Sequence, residues 1–226
     1  LYAGLKEISN RQQNILTIED PVEYALDGIG QTQVNTKTGL TFAKGLRAIL
    51  RQDPDIVMVG EIRDKETAEI AIQASLTGHL VLSTVHTNSA VSAITRLRDM
   101  GIEPYLISSS LLYVLAQRLV RRLCEHCKEI DDNKILLEPH NLHGKAYKPK
   151  GCDKCDGTGY FGRVSIGEFI KIDKELSDLI YESASENKIA SHVYKKNLNL
   201  FSNGINAVSC GLTSLAEIFR ISDANE

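Results

Sequence analysis

Three short apolar runs punctuate the first half of the chain, and each is followed by a segment with helical spacing. Residues 15–18 (ILTI) end in Glu19, Asp20 and Pro21. Proline has no N–H to give a sheet ladder, so a strand should stop there. Residues 55–59 (DIVMV) read as a strand buried on both faces, broken by Gly60 and followed at once by Glu61, Arg63 and Asp64. Residues 80–84 (LVLST) form the third run, ahead of Val85 and His86. Between the runs, Phe42, Leu46, Ile49 and Leu50 recur at i, i+4, i+7 and i+8, which predicts one apolar helix face. Thr41 is suited to cap that helix and Asp53-Pro54 to end it. A second helix is predicted over 64–77, burying Ala68, Ala71, Ile72 and Ala74, with Gly78 as its C′ residue. A third is predicted over 89–100, and a long apolar fourth over 104–123. Alternation of this kind implies a parallel sheet with right-handed crossovers, an α/β fold.

The character changes after Cys124. The next forty or so residues are polar and glycine-bearing, and from 166 onward the pattern reads as helical again. The predicted division is therefore 1–123, an α/β core; 124–165, a cysteine-bearing subdomain; and 166–226, a small helical region. Four of the five cysteines form two Cys-x-x-Cys pairs, Cys124/Cys127 and Cys152/Cys155, with 24 residues between the pairs. In a reducing compartment such pairs point to metal before disulfide. Four thiolates suit a closed tetrahedral Zn²⁺ site, which has no open position and so a structural role. Four free thiols are the plain alternative, but so polar a segment needs a staple to fold. His126, inside the first pair, is a competing ligand. Cys210 stands alone and is expected to be a buried apolar residue. The stretch GTGYFGR (157–163) lacks a Lys-Ser/Thr end and is expected to be a tight turn leading into a hairpin, not a nucleotide loop.

Composition narrows the function. The 226 residues are 42% hydrophobic and 24% charged, with a formal net charge of −3. A general polyanion binder is usually more basic, so nucleic acid is not expected as a partner. No apolar run reaches the roughly 18 residues of a membrane-spanning helix. Nothing at the start resembles a signal peptide, which leads to the expectation of a cytoplasmic protein. The first residue is Leu1, which leads to the expectation of a fragment.

Ligands of open parallel sheets sit beyond the carboxyl ends of the strands. Each of the three runs ends in polar groups: Glu19 and Asp20, then Glu61 and Arg63, then Thr84, His86 and Thr87. If the strands are neighbours, these groups converge on one crevice. A glutamate after a hydrophobic strand is where P-loop NTPases keep an acid for Mg²⁺ and the attacking water, and Mg²⁺ prefers oxygen ligands. The ordinary alternatives are that Glu61 caps the following helix or pairs with Arg63, and that His86 is a hydrogen-bonded structural histidine. For Arg47 and Arg51, four residues apart, the alternative is a solvated helix face.

Four stretches carry a specific resemblance. ILTIEDPVEY resembles the Asp box of the secretion and pilus-assembly ATPases. GLRAILRQDPDIVMVGEIRD resembles their Walker B region with its preceding arginine helix, TGHLVLSTVHTN their His box, and RLCEHC with GCDKC the tetracysteine element of the assembly-type members. Order and spacing agree, and the resemblance covers nearly the whole chain, with the type II secretion ATPases closest. It implies a RecA-like P-loop NTPase core that binds ATP and Mg²⁺, with Glu19 and Asp20 in the Asp box. It also implies that Arg47, Arg51 and Arg63 line the nucleotide or a subunit contact, that Glu61 acts on Mg²⁺ and water, and that His86 responds to the γ-phosphate. The sequence leaves both Glu19 and Glu61 as candidates to polarise the water. The family's phosphate loop, G-x-x-x-x-G-K-[ST], is not found in the 226 residues. The resemblance implies that the chain begins just after it and hydrolyses nothing by itself. A homo-hexamer, attached through partners to an inner-membrane secretion platform, is implied in the same way. A pilus-extension ATPase shares the same boxes and is the near alternative. A zinc-stabilised interaction module is the alternative of another class.

Overall fold

Each of the three apolar runs is a strand in the computed structural model, which describes residues 1–10, 12–142 and 146–223. By its internal contacts the chain divides into two units that do not follow chain order. The first is Leu1–Thr87, Ser92–Leu112 and Ile172–Ile189; the second is Asn88–Val91, Tyr113–Lys171 and the described residues from Ala190 onward.

The first unit opens with α1 (Tyr2–Ile8), β1 (Ile15–Glu19), β2 (Gly30–Gln33), α2 (Phe42–Ile49), β3 (Ile56–Val59), α3 (Lys65–Leu76) and β4 (Leu80–Ser83). The strands form one parallel sheet in the order β2-β1-β3-β4. Because side chains alternate across a strand, Ile15, Ile56 and Met58 share a face, and they cluster there with Leu5 of α1 and Leu26. The other face carries Ile18, against which α2 packs so closely that a Cβ on Gly45 would meet the Ile18 side chain at 2.6 Å. All four residues of β3 are buried, as a central parallel strand requires. The caps fall where the sequence places them. Thr41 accepts the Lys44 N–H at 3.3 Å, and Asp64 accepts the Thr67 N–H at 2.8 Å. Gly78, at φ +105°, turns the chain after α3.

The division between units falls within α4 (Ala90–Asp99), which is followed by α5 (Pro104–Ser110). The helix predicted over 104–123 is thus corrected: only its first two turns are helical. From Tyr113 the chain is β5 (Tyr113–Leu123), with side chains alternately exposed and half-buried. The alternation of Tyr113, Leu115 and Leu119 with Val114, Ala116 and Val120 is a period of two, and sheet pairing decides it. The partner is β8 (Tyr160–Lys171), antiparallel, with Val114 opposite Ile170 and Val120 opposite Val164. The helical reading from 166 is corrected by the same pairing, since helices resume only at α7 (Lys174–Tyr181) and α8 (Glu186–Val193). The turn at Gly157 and Gly159 leads into β8, whose partner lies far back in the chain at β5 rather than across a hairpin.

Between those strands lie β6 (Glu129–Ile130), α6 (Lys134–Leu137) and β7 (Tyr147–Lys148), with β6 and β7 antiparallel. The chain then reaches α9 (Leu200–Ser209) and α10 (Leu215–Asp223). Val120, Ile166, Leu137, Leu142, Val208 and Ile218 form the core of this second unit. Cys210, expected in the core, is exposed: it is the C-cap residue of α9, where the chain turns through Gly211 at φ +67°.

One buried carboxylate ties this unit together. Glu217 accepts from the Arg121 N–H at 3.0 Å and from Arg220 Nε and Nη2 at 3.0 and 3.1 Å, and also pairs with the Arg121 guanidinium. Burial alone pushes its pKa up; the two arginines more than reverse this and hold it at about 2. Because the folded pKa is depressed, the stabilisation is present above the unfolded value near 4.5 and is lost as pH falls from there toward 2. Glu217→Gln is expected to cost about 1–3 kcal/mol at neutral pH and to flatten the acid limb of the stability curve. Urea titrations of both proteins from pH 7 to pH 3 check this, and parallel curves would contradict it.

Candidate functional site

Parallel pairing puts the carboxyl ends of β1, β3 and β4 side by side, with Val59 opposite Ile18 and Ser83. Gly60 continues the approach: its N–H donates to the Ile18 carbonyl at 2.8 Å, and a Cβ there would come within 3.3 Å of the Glu19 Cα and that same carbonyl. A side chain there would press on the β1 backbone, and the chain then delivers Glu61 beside the β1 end. Across β4, the Ile62 N–H donates to the Thr84 carbonyl at 2.9 Å and the Thr84 hydroxyl to the Gly60 carbonyl at 2.7 Å.

Glu61 is buried. One carboxylate oxygen pairs with the Arg63 guanidinium, and the other lies 3.1 Å from His86 Nε2. The helix-cap alternative does not hold, because Asp64 caps α3. The hydrogen bond to Glu61 raises the pKa of Arg63, and the Asp20 charge adds to it. Asp20 itself is exposed. Glu61, Arg63, His86 and Asp20 therefore form one electrostatic group. The oxygen donors are of the hard type that Mg²⁺ takes. Among the described residues the carboxylates here do not close into a multi-ligand cage.

Glu19 is in a different state. It is buried, and its carboxylate accepts from the hydroxyls of Tyr2 and Thr17 and from Gln31 Nε2 at 3.1 Å. Burial, then the bond to Glu19, raises the Tyr2 pKa. The sequence reading missed this cradle. Thr17, two residues before Glu19 on the same strand face, was the one member with a local signal. Arg47 lies elsewhere on an exposed surface, bonded to Glu66 at 2.7 Å. Arg51 is exposed in the turn after α2. Neither is brought to Glu61 by the contacts within this chain.

The four paired cysteines converge. Their Sγ atoms all lie within 4.8 Å of one another, with Cys124–Cys152 at 4.0, Cys127–Cys155 at 3.7 and Cys152–Cys155 at 3.8 Å. A tetrahedron with Zn–S bonds of about 2.3 Å has edges of about 3.8 Å, so the set fits Zn²⁺. The N–H groups of Cys152 and Gly159 both donate to Cys155 Sγ at 3.2 Å. Burial pushes the Cys155 thiol up, but these donors, with the neighbouring Cys127 and Cys152 thiols, more than reverse it, to about 6. Such N–H···S bonds hold a thiolate ligand in place. His126 faces the Lys154 amine at 3.4 Å and lies outside the four-sulfur set.

Comparison with known proteins places these features in a family. The chain is 55% identical over 226 residues to the type II secretion system ATPase E of Vibrio cholerae, covering 98% of this chain and 45% of that protein. It is 54% identical over 230 residues to the type II secretion system protein E of Pseudomonas aeruginosa, with the same coverage. The chain thus spans less than half the length of these relatives. Among solved structures, the pilus retraction motor PilT with bound ADP matches at a TM-score of 0.72 and 27% identity, over 97% of this chain and 56% of that one. The Legionella pneumophila ATPase DotB matches in fold at a TM-score of 0.66 and 24% identity, over 96% of this chain and 53% of that one. The family model described as "Type II/IV secretion system protein" matches residues 1–220, and the chain belongs to that family.

Proposed function

We propose that this chain is the strand-end and zinc-bearing part of an ATPase that powers protein export through a type II secretion system. One observation carries the reading: a buried glutamate emerges at the carboxyl end of a central parallel strand, with Arg63 and His86 closing on it, in a chain of this family. In this reading Glu61 is the acid that orients the attacking water and accepts its proton. His86, bonded to Glu61, responds to the terminal phosphate. Arg63 neutralises phosphate charge when it leaves Glu61, and Asp20 shares it. Glu19, which already accepts from Tyr2, Thr17 and Gln31, shapes the site rather than taking the proton. Glu61 and Asp20 are the residues that would hold Mg²⁺, which would supply charge neutralisation on the phosphate oxygens. Arg47, bonded to Glu66, and Arg51, both exposed, are assigned to a neighbouring subunit's nucleotide in a homo-hexamer. The proposed setting, from the family, is cytoplasmic, bound to the inner-membrane secretion platform through partner proteins. A pilus-assembly ATPase is the second reading; similarity to the pilus retraction motor PilT supports a pilus motor only in general terms. The higher identity to the secretion ATPases favours export.

Backbone N–H groups and the lysine of a phosphate loop supply most phosphate contacts in P-loop enzymes. The chain alone is therefore expected to bind Mg·ATP more weakly than about 100 μM, some 5.5 kcal/mol. The same chain joined to a phosphate loop is expected to hydrolyse ATP in a Mg²⁺-dependent way. Calorimetry and phosphate release test the pair. Absence of hydrolysis in the joined protein would overturn the ATPase reading.

A further inference from the structure

The ladder between β5 and β8 changes register near its end. It runs without a break from Tyr113 opposite Lys171 to Arg121 opposite Arg163, and then Leu123 pairs with Tyr160. One residue of β5, Arg122, therefore faces two of β8, Phe161 and Gly162, which makes a β-bulge. Gly162, at φ +71°, has the left-handed backbone that such bulges use. An unbroken ladder would put Phe161 opposite Leu123 instead. The apolar pattern does not choose between the two, because Tyr160 and Phe161 are both aromatic. No tight turn chooses either, because residues 124–159 separate the strands. The choice has consequences, since a one-residue slip turns side chains to the opposite face. In this register the Tyr160 and Ser214 hydroxyls share a hydrogen bond of 2.7 Å, and the Arg121 guanidinium lies over the Tyr160 ring at 4.1 Å. Phe161 is left 68% exposed.

Gly159 holds the shifted end. It immediately precedes β8, as Cys124 immediately follows β5. Its carbonyl accepts the Cys124 N–H at 3.0 Å, the rung next to the Leu123–Tyr160 pair. Its N–H donates to Cys155 Sγ at 3.2 Å. One peptide residue thus ties the first Cys-x-x-Cys pair to the second, through the two paired cysteines that are buried. The position suits glycine: φ is +75°, and a Cβ there would meet Pro149 Cβ at 2.4 Å and Cα at 2.9 Å. The contacts of Tyr160 with Arg121 and Ser214 belong to its side chain, whereas the Gly159 bonds fix the backbone and so the register. All of these residues belong to the second unit.

We propose that metal loading of the four cysteines sets the register at the end of the β5/β8 ladder, with Gly159 as the residue that carries the hold. When the cysteines close on one ion, Cys124 and Cys155 are fixed together, Gly159 is fixed between them, and the bulge at Phe161 and Gly162 follows. In the metal-free chain the end of β8 slides by one residue, and Phe161 comes to stand opposite Leu123. The proposal rests on the reading of the four cysteines as a metal site. It gives that site an effect beyond its own loop: it decides which of two adjacent aromatic side chains is turned toward Arg121 and Ser214.

NMR contacts between backbone protons of facing residues test it, in the chain loaded with Zn²⁺ and after chelation. The loaded chain is expected to show Leu123 against Tyr160. After chelation that contact is expected to weaken by roughly tenfold or more relative to Val120 against Val164, the change that about 1.4 kcal/mol brings. A contact between Leu123 and Phe161 is expected in its place. A metal-free chain that keeps Leu123 against Tyr160 would overturn the proposal. So would an end with neither contact, which marks a metal that only staples its own loop. If the metal-free chain does not fold, Gly159→Ala is examined with Zn²⁺ bound. The slide to Phe161 then supports the proposal, and the wild-type pairing overturns it. Substitution with ¹¹³Cd²⁺ reads the link itself, as a coupling from the metal through Cys155 Sγ to the Gly159 N–H. Its absence from a loaded chain would remove Gly159 from the role. A chain that takes up neither Zn²⁺ nor Cd²⁺ would reject the metal site and the proposal together, whereas a loaded chain with an unchanging register rejects the proposal alone.

Discussion

Stripping metal from the four-cysteine cluster is expected to unfold residues 124–159 locally and to loosen the turn between α9 and α10. The cluster fits one Zn²⁺ per chain, and structural zinc contributes on the order of 10 kcal/mol or more to the folding of such segments. The short pieces around it, β6, β7 and α6, are only two to four residues long, and of their side chains Leu137 joins the core of the unit. The link to the turn is direct. The Leu123 N–H donates to the Leu212 carbonyl at 2.9 Å, and Lys128 Nζ, next to Cys127, donates to the Gly211 carbonyl at 3.1 Å. The same lysine lies over the Tyr147 ring at 5.0 Å. When the knuckles open, these anchors go with them. Amide exchange at position 152, Gly159 and Leu212 is expected to speed up by roughly 100-fold or more after chelation, and at Gly159 and Leu212 likewise in the Cys124→Ser/Cys152→Ser double variant, about 2.7 kcal/mol of local stability. Exchange in β1 and β3 is expected to hold. Thiols must lose their protons to bind, so loading weakens as pH falls. Protection in a metal-free protein equal to that of the loaded one would reject the structural role.

Much of the first unit could be read from the order of residues, because β3 is apolar at every position and its neighbours carry helical spacing and matching caps. Such segments have only one way to bury their apolar side chains. β2 escaped because Gly30–Gln33 is GQTQ, polar and partly exposed at the sheet edge, where a strand needs no apolar pattern. β5 was misread because a long apolar segment after Pro104 satisfies both periods, and its pairing with β8 lies some forty residues downstream. The site divides in the same way. Glu61 and His86 stood out because each follows a strand, and parallel pairing brought them together. Tyr2, Gln31 and Thr17 around Glu19 became visible only in three dimensions, since Tyr2 is 17 residues from its partner.

Glu61→Gln is expected to leave nucleotide affinity nearly unchanged and to lower turnover by roughly 10²–10⁴-fold, measured in the chain joined to a phosphate loop. Gln keeps the size of the side chain and can still hydrogen-bond to Arg63 and His86. It has no negative charge to hold the Arg63 guanidinium and no capacity to take the proton of an attacking water. Affinity rests mainly on the phosphate loop, so it should stay within about threefold, under 1 kcal/mol. Loss of the Glu61 charge also frees Arg63, whose pKa that bond raises. Arg63 then moves toward phosphate without restoring turnover, because it donates hydrogen bonds and cannot accept the proton. The measurement is a parallel determination of Mg·ATP affinity and kcat for wild type and Glu61→Gln. Retained binding with kcat lowered at least 100-fold is the predicted result. A kcat within about threefold of wild type, less than 1 kcal/mol of barrier, would contradict the catalytic assignment of Glu61.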